Sequence, residues 1–289
     1  MLIHLIADYG VNDLAFNEVV HKLLILDQSL LVYPLSVPPF STIATGFCIG
    51  QLALDFCPGS CIYSNTAPRK DDANGRSHNA GEFFVYAELD NGMQILTVNS
   101  GYSLSFVKNN IKKLHRVSVS NHGSQFRSRD NFPQAVVGIL QGNQDFIGEQ
   151  IDPATIPDIP KSRVAWIDGY GNIKTTIRQS EVKLQPGQEI QIDLNTTKHI
   201  AKYAGGAFEV HEGDLALAPG SSGGDDRFLE IFLRGGNARR LFHKARVEQH
   251  IGLRPYAYAC VPEESIIKVN AKNSPQSTLP DDDDEDDDN

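Results

Sequence analysis

One segment divides this chain and limits what it can fold into. Between Asp152 and Lys161 the sequence DPATIPDIPK places three prolines in ten residues. Proline fixes φ and removes a backbone donor, so neither a helix interior nor a central strand runs through such a stretch, and it reads as a linker. The pattern differs on its two sides. Before it, strand-like runs (LIHLIA, SLLVYPL, EFFVYAEL, MQILTV) alternate with segments of helical period (NDLAFNEVVHKLLILD, FSTIATGFCIGQLALDF). That alternation predicts a mixed sheet covered by helices. After it come RVAWIDGYGNIKTTI, EIQIDL, LALAPG and FLEIFLRG, short strands parted by Gly and Pro without convincing helices. The expected fold is an α/β N-terminal domain followed by a smaller all-β, barrel-like C-terminal domain. A length of 289 residues suits two cores better than one. The expected boundaries are 1–151 and 162–272, with 152–161 between them and 273–289 as a disordered acidic tail.

Charge excludes one class of partner. The formal net charge is -10, but eight acids lie in the tail DDDDEDDDN; without them 28 acids face 26 bases. The folded body is nearly neutral and lacks the basic stripe that nucleic-acid binding requires. No apolar run reaches the length of a membrane span, and MLIHLIADYG reads as a first core strand rather than a leader, so a cytoplasmic protein is expected. Cys48, Cys57, Cys61 and Cys260 are too few for a disulfide framework, and no second pair at ligand spacing follows Cys57 and Cys61. They are expected to be buried thiols, and no metal site is expected.

Four segments carry candidate chemistry. In IADYGVNDLAF, Asp8 ends an apolar strand and Asp13 stands near a helix start. Ligands of α/β sheets lie beyond the carboxyl ends of strands, where a carboxylate can accept ribose hydroxyls; an Asp is equally a common helix cap. In SQFRSRDNFPQAV, Arg127, Ser128, Arg129 and Asp130 sit between Phe126 and Phe132, either as an anion cradle or as a plain Arg129 to Asp130 ion pair. In WIDGYGNIKTTI a turn brings an acid, a ring and an amide together as Asp168, Tyr170 and Asn172. A turn needs its glycines but not that combination. In PGSSGGDDRFLEIFLRGGNA, glycine-rich flanks around Ser221, Ser222, Asn237 and Ala238 would let a ligand approach the backbone closely.

Taken in order, these four segments resemble the family of S-adenosylmethionine hydrolases (adenosine-forming) and S-adenosylmethionine-dependent fluorinases and chlorinases. ADYGVND is similar to the family's TDFG...D, SQFRSRDNFPQAVV to SxTFHGRDxFAPAAA, IDGYGNIKTTI to IDxFGNxxTNI, and GSSGGDDRFLEIFLRGGNA to NSxGxLEIAxxxGNAA. The resemblance spans residues 3 to 242 and implies the same two-part fold. It also implies a homotrimer whose ligand lies between one subunit's first domain and its neighbour's second. By this resemblance Asp8 holds the ribose hydroxyls, Asp13 and Asp168 the methionine amino group, and Ser221 and Ser222 the methionine carboxylate. Tyr170 stacks, and Asn172 pairs with adenine, with Asn237 and Ala238 nearby. The implied reaction is in-line attack of water at the ribose 5′ carbon, giving adenosine and methionine with no metal and no cofactor beyond S-adenosylmethionine itself.

The chain departs from the family where water is activated. Family hydrolases use an Asp, an Arg and a His. The Asp of VVDPGVGT is Asn65 here, in IYSNTAPRK; the His and Gly of TFHGRD are Arg127 and Ser128; and Arg69 or Arg76 would have to supply the Arg. Neither Asn nor Arg serves as a general base. Three outcomes follow from the sequence: cleavage by water, binding of S-adenosylmethionine or adenosine without turnover, or attack by a halide, which needs no base.

Overall fold

The structure is a computed structural model that describes residues 1–55, 57–68, 74, 82–120 and 122–256. Arg69, Arg76, Cys260 and the acidic tail lie outside the described residues. Residues Met1–Tyr256 form one compact unit.

Strands β1 (Leu2–Ala7), β2 (Leu31–Ser36), β3 (Ser60–Asn65), β4 (Phe84–Leu89), β5 (Gln94–Val98), β6 (Ile111–Val117) and β7 (Ile147–Gln150) make a sheet of order β2-β1-β3-β5-β4-β6-β7. The first four in that order run parallel, and the β5-β4-β6-β7 pairings are antiparallel. Alternate residues of each central strand enter opposite cores. Ile3, Leu5 and Ala7 of β1 pack with Phe16, Val19 and Leu23 of helix α1 (Leu14–Leu26). Ile6 packs with Ala44, Cys48 and Ile49 of helix α2 (Thr42–Leu54). Both faces of the sheet are therefore covered, which is why its strands read as near-continuous apolar runs. Each helix starts where a side chain accepts an otherwise orphaned amide: Asp13 from Ala15 and Ser41 from Ala44. The short α3 (Arg127–Asp130) and α4 (Phe132–Leu140) return the chain to the α1 face.

The second sheet comprises β8 (Val164–Ile167), β9 (Ile173–Arg178), β10 (Glu189–Leu194), β11 (Thr197–Tyr203), β12 (Leu215–Pro219), β13 (Phe228–Leu233) and β14 (Gly252–Pro255), in the order β14-β10-β11-β12-β13-β9-β8. Only β11 and β12 pair in parallel. Its two ends meet. The Val164 amide donates to the Gln249 carbonyl at 2.9 Å and the Ile251 amide to the Ser162 carbonyl at 2.8 Å, so the sheet curls into a barrel-like form. Its helical content is α5 (Ala238–Leu241) and single 3-10 turns.

The proline-rich connection is pinned. Asp152 caps a 3-10 turn at Pro153–Thr155, Ile156 is buried in the first sheet's core, and Lys108 pairs with Asp158 at 2.7 Å. Ile43 and Phe47 of α2, with Phe106, pack on Ala165 and Phe228, so the two sheets share a core. Cys48 and Cys61 are buried, and burial pushes both thiols up to about 12. Cys57 is exposed, against expectation, because it lies in the turn between α2 and β3 rather than on either element. Among the described residues no helix is long and apolar enough to cross a membrane, and no group of three or more His, Cys, Asp or Glu could hold a metal ion.

Candidate functional site

The order β2-β1-β3 makes the carboxyl ends of β1 and β3 a point where the chain leaves the sheet in opposite directions, the usual place for a ligand in an α/β sheet. Asp8 follows β1 and Asn65 ends β3, joined by the Asp8 amide donating to the Asn65 carbonyl at 3.4 Å. The Asp8 carboxylate accepts from the Phe40 amide at 3.0 Å. Phe40 stands in the left-handed region, φ 62°, with its ring exposed. A bulky residue held there stores backbone strain of the sort that gathers around binding sites. Asp13 does not join this group in the structure: its carboxylate accepts from Ala15 at 2.9 Å as the cap of α1.

Sequence reasoning missed Tyr9, which organises the site. Its hydroxyl accepts from the Asn65 side-chain amide at 3.1 Å and is hydrogen-bonded to the Ser128 hydroxyl. The Tyr63 hydroxyl donates to the Ser128 carbonyl at 2.7 Å, fixing the same residue from below. Edge-on contacts with Phe16 and Phe126, at 5.1 and 5.7 Å, hold the Tyr9 ring. Burial pushes its phenol well above the ordinary tyrosine range, so it remains a protonated donor. The signal lay in ADYG, where the family motif as quoted carries Phe. Tyr9, Asn65 and Ser128 are three departures from the family, and they form one hydrogen-bonded cluster. None of the three ionises near neutral pH.

Arg127 points elsewhere. Its guanidinium donates to the Glu82 carbonyl at 3.2 Å, lies 5.0 Å from the Phe132 ring centre, and has its pKa lowered by burial. Arg129 and Asp130 form the plain ion pair, at 2.7 Å. Arg69 and Arg76 lie outside the described residues.

A second group gathers on the other sheet around an open cleft of 1410 Å³. It is lined by Asp168, Tyr170, Asn172, Ser221 and Asn237 among other residues of the second sheet. The β8–β9 turn explains its own letters. The Asp168 carboxylate accepts from the Tyr170 amide at 2.9 Å, the Asn172 amide at 3.0 Å and the Asn172 side chain at 3.1 Å. About one of its four lone-pair positions is left for a ligand. Gly171, at φ 83°, lies so close to Asn237 that an added Cβ would stand 2.2 Å from that side chain. Asn237 in turn caps α5 by accepting from the Arg240 amide at 2.9 Å. The Tyr170 ring is thereby held out from the sheet, 81% exposed. Ser222 and Ala238 are buried beneath the cleft rather than lining it.

The site residues therefore form two groups, one at the end of the first sheet and one in the cleft of the second.

Residues 162–250 match the SAM hydroxide adenosyltransferase C-terminal domain. No curated protein sequence matches the chain. Among solved structures it is similar to an uncharacterized conserved protein from Thermotoga maritima, with 15% identity over 87% of this chain and 100% of that one, and a TM-score of 0.69. It is also similar to a conserved hypothetical protein from Thermus thermophilus, with 16% identity over 87% and 99% of the two chains and a TM-score of 0.60. At these identities the two neighbours speak for the fold alone. The second sheet is thus matched to the C-terminal domain of the S-adenosylmethionine (SAM) hydroxide adenosyltransferases, a family of enzymes, and the match supports the resemblance read from the four segments.

Proposed function

We propose that the protein binds S-adenosylmethionine and transfers its adenosyl group to water, releasing adenosine and methionine. The observation that carries this reading is the combination of the domain match over 162–250 with Asp8 and the Tyr9–Asn65–Ser128 cluster at the strand ends of the first sheet. In the step, a water oxygen bonds to the ribose 5′ carbon while the carbon–sulfur bond breaks. Its electron pair leaves with sulfur as methionine, and a water proton passes to solvent. A sulfonium is a good leaving group, so alignment and partial desolvation carry most of the catalysis. Asp8 accepts from the ribose hydroxyls, Tyr170 covers a base face, and the free carbonyl oxygen of Asn172 pairs with the adenine amine. The cluster positions the nucleophile by hydrogen bonds. When Asn65 donates to Tyr9 and Tyr9 to Ser128, the Ser128 proton is left for one further acceptor.

The two groups lie on different sheets and none of the first-sheet group lines the cleft, which supports a site completed by a second copy. Such head-to-tail contacts close into a ring, and a trimer accounts for the division. Light scattering should give a trimer mass; a monomer with full ligand affinity would contradict it.

One observation favours a second reading, binding without turnover: no member of the cluster can take a proton near neutral pH. Incubating purified protein with S-adenosylmethionine, with and without chloride, and separating adenosine by chromatography decides between them. Adenosine formation supports cleavage. Calorimetric binding without adenosine supports the second reading.

A further inference from the structure

The cleft of the second sheet carries an excess of positive charge that the proposed substrate does not need. Its lining holds Lys174, Arg227, Arg234 and Arg240 against two acids, Asp168 and Glu230. The acids are already engaged. Lys174 and Glu230 pair at 2.8 Å with both side chains mostly covered, and Asp168 is committed to its turn. Among the described residues no carboxylate pairs with Arg227, Arg234 or Arg240. Arg227 and Arg240 are exposed, and Arg234 lies 5.7 Å from the centre of the Phe208 ring. Without its acidic tail the chain is nearly neutral, 28 acids against 26 bases, so this patch is a local concentration of positive charge. A concave surface focuses such a field on what enters it.

Two exposed rings line the same cleft, Tyr170 at 81% and Phe208 at 89%. Large rings left in water beside guanidinium groups suit a ligand with a flat base and an anion, since aromatic faces stack on bases and guanidinium forks match phosphate oxygens. S-adenosylmethionine carries a net positive charge and satisfies only half of this description. We infer that the cleft also accepts adenine nucleotides bearing a 5′ phosphate, which occupy the adenosyl position and exclude S-adenosylmethionine from it. This rests on the reading that the Tyr170 to Asn172 turn receives adenine. It adds a regulatory ligand to that site: a cell rich in phosphorylated adenosine would hold the protein occupied.

The test is calorimetric titration of the full chain with adenosine, AMP and S-adenosylmethionine as separate probes. It uses low and raised salt, the wild type, and the double variant Arg227→Gln/Arg240→Gln. Both positions are exposed, and circular dichroism checks that the variant is folded. One or two charge-assisted bonds to phosphate should make AMP bind about ten- to a hundredfold more tightly than adenosine. That gap should shrink as salt rises and in the double variant, while adenosine affinity stays unchanged. AMP should displace S-adenosylmethionine. Equal affinity for AMP and adenosine, or a gap that survives the double substitution, overturns the inference and leaves the adenine reading standing. If none of the three probes binds, the adenine reading falls and the inference with it.

Discussion

Replacing Gly171 by Ala should unsettle the cleft from a single methyl group. The residue stands at φ 83°, and its added Cβ would fall 2.2 Å from the Asn237 side chain, well inside any real contact. A left-handed conformation costs a residue with a Cβ about 1 to 2 kcal/mol. Asn237 can yield only by leaving its cap on the Arg240 amide, at roughly 0.5 to 2 kcal/mol. Together these give about 1.5 to 4 kcal/mol, or a fall of roughly 3 to 16 °C in Tm for a unit of this size. Gly169→Ala in the same turn is the control, since nothing lies within 4 Å of its Cβ position; it should stay within about 0.5 kcal/mol. Scanning calorimetry on both variants measures the difference. The cause can be separated further by placing Gly171→Ala in an Asn237→Ala background. There the collision is gone, and only the backbone part of the cost should remain, so the two substitutions should not add. Indistinguishable midpoints for Gly171→Ala and Gly169→Ala, or strict additivity with Asn237→Ala, would refute the packing argument.

Other expectations follow from named contacts. Tyr9→Phe leaves the Ser128 hydroxyl and the Asn65 amide without a shared partner, at about 1 to 3 kcal/mol, which urea unfolding should register. Asn65→Asp keeps the contact, because the phenol can donate to a carboxylate, and it installs a base. Adenosine release should rise by up to about 100-fold, and an unchanged rate with intact ligand affinity would remove the missing base as the explanation. Hydrogen bonds from Arg129 and Ser124 lower the Asp130 carboxyl to about 2. A depressed folded value means that its contribution to stability is complete above the ordinary aspartate range, about pH 4, and is lost as pH falls toward 2. Asp130→Asn should therefore flatten the acid limb of the stability profile between those values, and an unchanged limb would show that the pair contributes nothing measurable.

Much of the fold was legible because periodicity reports burial. LIHLIA and EFFVYAEL read as strands since both faces of the first sheet are covered, and NDLAFNEVVHKLLILD announced both α1 and its Asp13 cap. β11, TKHIAKY, escaped notice because its lysines keep its apolar run short and its burial is partial. The site was legible only in part. Asp8, Asp168, Tyr170 and Asn172 show themselves as polar residues where a strand ends or turns. Asp13 and Asp168 show the limit of that signal, since capping or building a turn selects the same letter as binding an amine. Tyr9 was hidden because its role is to join Asn65 and Ser128, which lie 56 and 119 residues away in the chain. The positive cleft was equally invisible, since Lys174, Arg227, Arg234 and Arg240 are gathered by the curl of the sheet and not by their spacing.

The most direct test of the central claim is to incubate the protein with S-adenosylmethionine in water enriched in oxygen-18 and weigh the product by mass spectrometry. Attack by water at the ribose 5′ carbon predicts adenosine carrying the heavy oxygen at its 5′ hydroxyl, with methionine unlabelled. The account would be contradicted by unlabelled adenosine, by a 5′-halogenated nucleoside when chloride is present, or by S-adenosylmethionine that remains intact.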